Sequence, residues 1–203
     1  MPPKPGRLAS ILRPWGLIWL SICSGGFIAY ENTTIVPSLV QAAGGIVLEL
    51  GPGPGNQIHR YDSSLVKRVY GVEPNPYFKD DIDAKLDKHS LQDRYKLIIC
   101  GVEDSDVLRE EGITEGSLDA VVCVQVLCAV KDPKNVMKQV WKLLKPGGKF
   151  IFWEHGWSRN HLTTVAQGMS VPATLSLFLD DSIEFISSGG TNELFRAAHM
   201  KKP

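Results

Sequence analysis

Three glycines at alternate positions, Gly51, Gly53 and Gly55, directly follow the apolar run Ile46–Leu50, with Glu49 just ahead of them. A tight glycine turn at the carboxyl end of a strand lets a ligand approach the backbone closely. N–H groups at the start of a following helix would then face that ligand. Such a turn is weak evidence alone, because dinucleotide binders also use one, typically as GxGxxG. Here the spacing is GxGxG and position 56 is Asn. The acidic Glu49 suits a ligand carrying an amino acid and a sulfonium better than one carrying a pyrophosphate. Glu73 ends the run Arg68–Val72, and a carboxylate there can accept both hydroxyls of a ribose. Gly101–Val102–Glu103–Asp104 follows a third apolar run. Backbone N–H groups and one acidic side chain there could bond an adenine ring. Glu103 and Asp104 are both candidates, and either would also serve as a helix cap. Glu154 and His155 follow Lys149–Trp153 and are candidates for a general base, histidine having the unperturbed pKa suited to neutral pH. A structural role fits both as well.

These residues need a scaffold that brings several strand ends together. Apolar runs at Ile46–Leu50, Arg68–Val72, Tyr95–Cys100, Leu118–Val124 and Lys149–Trp153 alternate with polar stretches. Near-continuous Val, Ile, Leu and Phe is the pattern of strands buried on both faces of a parallel sheet. The connectors Asn56–Lys67, Pro76–Lys88 and Asp132–Leu144 read as helices, the last with apolar residues at helical spacing and Asp132–Pro133 as N-cap and first turn. The expected fold class is α/β, a Rossmann-like parallel sheet built from βαβ units.

The ordered set VLELGPGPG, VYGVEPN, GVEDS, GSLDAVVCVQVLCAV and LKPGGKFIFWEHG, from about Gly45 to His155, resembles the class I S-adenosylmethionine-dependent methyltransferases. The VCVQVLCAVKDP and PGGKFIFWEHG segments are similar to the thiol S-methyltransferases of the endoplasmic reticulum (the methyltransferase-like seven group) and to fungal small-molecule methyltransferases. The resemblance implies S-adenosyl-L-methionine as cofactor. It puts the methionine part at Gly51, Gly53 and Gly55, beside Glu49, the ribose at Glu73, and the adenine at Val102, Glu103 and Asp104. Gln125 would lie near the methionine moiety and the transferred methyl. The acceptor implied is small and hydrophobic, a thiol or a hydroxyl. A thiol is partly ionised at neutral pH and needs little help from a base.

The 203 residues suit one domain with a sizeable core, and hydrophobic residues make up 43%. Lys plus Arg equals Asp plus Glu, which argues against a nucleic-acid partner, since phosphate binding needs a cationic excess. Cys23, Cys100, Cys123 and Cys128 form no CxxC pair, so no metal site is expected. Residues 1–31 read as a hydrophobic amino-terminal segment and 32–203 as the catalytic domain. Trp15–Tyr30 carries no charge and follows Lys4, Arg7 and Arg13. It is shorter than the roughly 20 residues of a membrane span. An anchor on the cytoplasmic face of an intracellular membrane is the favoured reading; a cleaved signal and a helix packed on the domain are the others. The tail from about residue 156 departs from the class pattern, which leaves the last strands of the sheet in question. A cofactor-binding relative without activity is the alternative that this tail supports. A nicotinamide-dependent oxidoreductase is a third reading, which the GxGxG spacing disfavours.

Overall fold

The computed structural model describes residues 25–155, 183–185 and 195–202, with side chains described over 25–154 and at Lys202. The first described residues, 25–31, are helical (α1). The chain continues through α2 (Val36–Gln41), β1 (Gly45–Leu50), β2 (Val66–Val72), α3 (Lys79–His89), β3 (Tyr95–Ile98) and α4 (Ser105–Glu110). Then come β4 (Leu118–Val124), α5 (Pro133–Leu143), β5 (Leu144–His155), β6 (Ile183–Phe185) and β7 (Phe195–Lys201). Strand order is β3-β2-β1-β4-β5-β7-β6. The first five strands are parallel, and β7 runs antiparallel to both β5 and β6. The tail therefore does contribute two strands, although β6 has only three residues.

Both faces of the sheet are covered, as the apolar strands require. Leu48, Leu50, Val121 and Phe152 point to one core, with Leu108 of α4 and Val136, Met137 and Val140 of α5. Val47, Val69, Val122 and Trp153 point to the other, with Val36, Leu39 and Val40 of α2 and Ile82 and Leu86 of α3. Each such side chain, buried fully, contributes roughly 1.5–3 kcal/mol. On α5 the N-cap Asp132 accepts a 3.0 Å hydrogen bond from the Asn135 N–H, ahead of Pro133.

The connector Asn56–Lys67 corrects the sequence reading. It holds one 3-10 turn, Ile58–Arg60, and no α-helix. Asp62 accepts hydrogen bonds from the Ser64 N–H at 2.8 Å and from its hydroxyl at 2.6 Å. That local side-chain turn competes with helix propagation. Strand β3 ends at Ile98, two residues before the apolar run does, and β5 begins at Leu144, five residues before the Lys149–Trp153 run.

The described part of the amino-terminal segment packs on the domain. Tyr30 lies 6.4 Å from the Trp153 ring and 6.4 Å from Phe27, centroid to centroid. No helix among the described residues is long and apolar enough to cross a membrane. Residues 15–24 of the Trp15–Tyr30 run lie outside the described residues. Strand β1 sits between β2 and β4: the chain runs from β1 through β2 to β3 on one side, then crosses back to β4 on the other. In open α/β sheets that switch point is where a crevice forms at the strands' carboxyl ends.

Candidate active site

The crevice is present. A cavity of about 320 Å³ opens at the ends of β1 and β4, lined by the Gly51–Pro54 turn, Glu49, Gln57, Gln125, and Phe27 and Glu31 of α1. Gly51, Gly53 and Gly55 have φ of +53°, +54° and +80°, left-handed values that side chains with a Cβ rarely adopt. A Cβ on Gly55 would come 2.6 Å from Ile58 Cδ1, whereas a Cβ on Gly53 would meet nothing within 4 Å. Gly55 is therefore needed for internal packing. Gly53 leaves open space that a ligand can occupy.

Glu49 lies under this turn, 2% exposed. Its Oε2 accepts a 2.9 Å hydrogen bond from the Tyr95 hydroxyl. Oε1 is buried without a hydrogen-bond partner. Burial pushes the carboxyl up to about 7, against the opposing pull of Tyr95, Tyr61 and Arg60. The two tyrosines are in turn pushed well up by burial and by the Glu49 charge. A buried carboxyl with a spare oxygen, lining a cavity, is ready for a cationic group that would favour its ionised form.

Glu73 ends β2 as the sequence implies. Its Oε2 accepts from the Gly53 N–H at 3.0 Å and its Oε1 from the Asn75 N–H at 2.9 Å. The same carboxylate thus fixes the glycine turn and stands beside it. A carboxylate has about four acceptor positions, so two backbone bonds leave capacity for hydroxyl donors. At the end of β3, Val102 is buried and Glu103 and Asp104 are exposed. Asp104 occupies the N-cap position of α4 without capping it through its side chain. Its Oδ2 instead accepts from the Gly101 N–H at 2.8 Å.

Past β4, Gln125 has a φ of +57° and its N–H donates to the Trp153 carbonyl at 2.9 Å. Non-glycine residues in this region are uncommon and cluster at functional sites. Glu154 is 2% exposed and does not line the cavity. Its Oε1 accepts from the Val126 N–H at 2.7 Å, the Leu127 N–H at 3.0 Å and the Cys123 thiol at 3.2 Å. Val126 in turn packs on the glycine turn, since a Cβ on Gly51 would lie 3.0 Å from Val126 Cγ1. Burial pushes the Glu154 carboxyl up, against the pull of these donors. That geometry holds a loop in place, and Glu154 presents no surface to the described cavity. The His155 backbone pairs with Phe195 in the sheet, while its side chain lies outside the described residues.

The sequence alone did not single out Phe27, Glu31, Gln57, Arg60, Tyr95 or Gly71 as part of this site. Only Gly71 carries a readable signal, because glycine inside a strand often marks a close approach. A Cβ there would come 2.2 Å from the Tyr95 hydroxyl.

The switch-point crevice, the open glycine cradle, the two carboxylates at adjacent strand ends and the antiparallel β7 define a class I S-adenosylmethionine-dependent methyltransferase fold. A family model described as "Methyltransferase domain" matches residues 48–152, just over half of the chain, and the protein belongs to that family. Its cofactor is S-adenosyl-L-methionine, and the residues present fit that group: a glycine cradle, a carboxylate beside the cradle with acceptor capacity to spare, and a buried carboxyl with an oxygen that has no hydrogen-bond partner. Thiol S-methyltransferase TMT1B of Homo sapiens is 33% identical over 121 residues, covering 59% of this chain and 47% of the relative. Thiol S-methyltransferase TMT1A of Homo sapiens is 27% identical over 146 residues, covering 70% and 57%. The chain thus spans about half the length of these curated relatives. Among solved structures, the N-methyltransferase NodS from Bradyrhizobium japonicum superposes with a TM-score of 0.61 at 16% identity, covering 87% of this chain and 97% of that one. A SAM-dependent methyltransferase from Aquifex aeolicus gives 0.56 at 12% identity, covering 82% and 86%. At these identities the structural likeness speaks for the fold alone.

Proposed function

We propose that this protein transfers the methyl group of S-adenosyl-L-methionine to a small hydrophobic acceptor, with a thiol as the first choice. The observation that carries the reading is the cavity at the β1–β4 switch point, lined by Glu49 and by an open glycine turn whose Gly53 N–H is held by Glu73. Its likeness to thiol S-methyltransferases supports the choice of acceptor. When bound, the cofactor supplies a methyl already activated on a sulfonium, so the protein's task is chiefly placement. Gly51 and Gly53 let the methionine part lie against the backbone, with Glu49 facing its ammonium. Glu73 holds the ribose while fixing the turn. Val102, Glu103 and Asp104 form the adenine edge. Gln125, held in its left-handed conformation, faces the methionine end and the methyl. Glu154 positions the 125–127 loop. His155 is the remaining candidate base, needed for a hydroxyl acceptor and dispensable for a thiol already ionised.

The test is calorimetric titration of the full chain, in mild detergent, with S-adenosylmethionine and S-adenosylhomocysteine, followed by a methyl-transfer screen led by small lipophilic thiols. Micromolar binding and S-methylated product are the expected results. Binding without turnover across a broad thiol and hydroxyl panel would sink the catalytic reading and favour a cofactor-binding, non-catalytic relative. Folded protein that binds neither ligand would sink the site itself.

A further inference from the structure

Residues 25–31 come before the sheet and before the matched family region, yet they meet the cavity at two positions. Phe27 and Glu31 both line it. Glu31 is 1% exposed, and its carboxylate is held from the far side of the glycine turn. Arg60 Nη1 donates to Glu31 Oε2 at 2.7 Å, and Gln57 Nε2 reaches the two Glu31 oxygens at 3.2 and 3.3 Å. Arg60 also donates to Gln57 Oε1, and its Nη2 donates to Asn32 Oδ1 at 2.8 Å. Gln57 and Arg60 belong to the segment that follows Gly55 directly, and both are buried. The other side of α1 rests on β5 through the Tyr30–Trp153 contact.

A buried ion pair is a poor source of net stability, because removing two charges from water offsets most of their attraction. Its better attested use is to fix the register between two elements. Here the two elements are α1 and the glycine turn, and the cavity lies between them.

We infer that α1 is a wall of the cofactor site, latched onto the glycine turn by the Glu31–Arg60–Gln57 cluster, and that Glu31 and Arg60 are positioning residues for cofactor binding. This rests on the reading of the cavity as the methionine end of the cofactor site. The end of the hydrophobic amino-terminal segment then extends into the binding machinery.

The test uses the full chain and S-adenosylhomocysteine. Glu31→Gln with Arg60→Met removes both charges together, so no uncompensated charge stays buried. Phe27→Ala trims the wall without touching the cluster. Both variants are expected to melt cooperatively and to bind about tenfold more weakly, the equivalent of about 1.4 kcal/mol. Hydrogen exchange gives a readout that general destabilisation would not move. Ligand should slow exchange of the 25–31 amides in the wild type, and should no longer do so in the double variant. Wild-type affinity in both variants, or 25–31 amides indifferent to ligand in the wild type, would overturn the inference. A folded wild-type chain that fails to bind at all would instead overturn the cavity reading, and this inference with it. Should the double variant not fold, Phe27→Ala and the wild-type exchange experiment still decide.

Discussion

Glu49 offers the sharpest quantitative test, because its chemistry is set by burial and its expected partner is a cation. In the free protein its carboxyl sits at about 7, against 4.5 for an unperturbed one. Between those two values the folded state holds a proton that the unfolded state has released. Stability from this group therefore falls as pH rises from 4.5 to 7 and levels above, by about 3 kcal/mol in total. A ligand ammonium against Glu49 favours the ionised form, so binding releases a proton wherever the free protein still holds it. Affinity for S-adenosylhomocysteine should then rise about tenfold per pH unit well below 7, or about 15-fold from pH 5.5 to pH 7. Titrations in two buffers of different ionisation enthalpy would count close to one proton released at pH 5.5 and about half a proton at pH 7. Glu49→Gln should flatten the profile and raise the melting temperature at pH 8, because it removes a buried charge. Tyr95→Phe removes a donor that favours the carboxylate, and should move the affinity midpoint to higher pH. A wild-type affinity that is flat from pH 5.5 to 7, with no proton released, would refute the reasoning. Glu49 would then face no cation when the ligand is bound.

Gly53→Arg should abolish cofactor binding in protein that still folds, because Gly53 lines the cavity in a left-handed conformation with open space at its Cβ; near-wild-type affinity by calorimetry would displace the site. Gly71→Ala should cost about 1–3 kcal/mol by overpacking against the Tyr95 hydroxyl, read as a lower denaturant midpoint, together with the upward pH shift expected for Tyr95→Phe. Glu154→Ala should cost about 2–4 kcal/mol, since it leaves the Val126 and Leu127 N–H groups without their acceptor. Glu154→Gln retains an acceptor oxygen there and should keep turnover within a few-fold of wild type. Loss of turnover in stably folded Glu154→Gln would return that carboxylate to the list of reacting groups.

The parts of this site that sequence makes visible are those that backbone geometry forces on residue type. Gly51 and Gly55 must be glycine for conformational or packing reasons, and the apolar runs must alternate with connectors if a parallel sheet is to be covered on both faces. Glu49 and Glu73 are legible because polar residues are costly at strand ends unless something answers them. The 56–67 connector misleads because its composition permits a helix, while the Asp62–Ser64 turn and the pull of Glu31 on Gln57 and Arg60 decide against one. That decision depends on residues some 25 to 30 positions apart, which no local pattern encodes. The same holds for Glu154. As a carboxylate at a strand end on the ligand edge it looks like a base, and only the two N–H groups arriving from the 125–127 loop show that one of its oxygens also anchors that loop. Phe27 and Glu31 are hidden for a different reason. They sit at the end of an uncharged run whose hydrophobicity suggests a lipid environment, whereas part of that hydrophobicity is used against Trp153 and the cavity. Apolar surface that packs on a domain and apolar surface that enters a membrane have the same sequence signature, because both are responses to exclusion from water. They part only where a buried charge such as Glu31 demands a partner, and Arg60 supplies it.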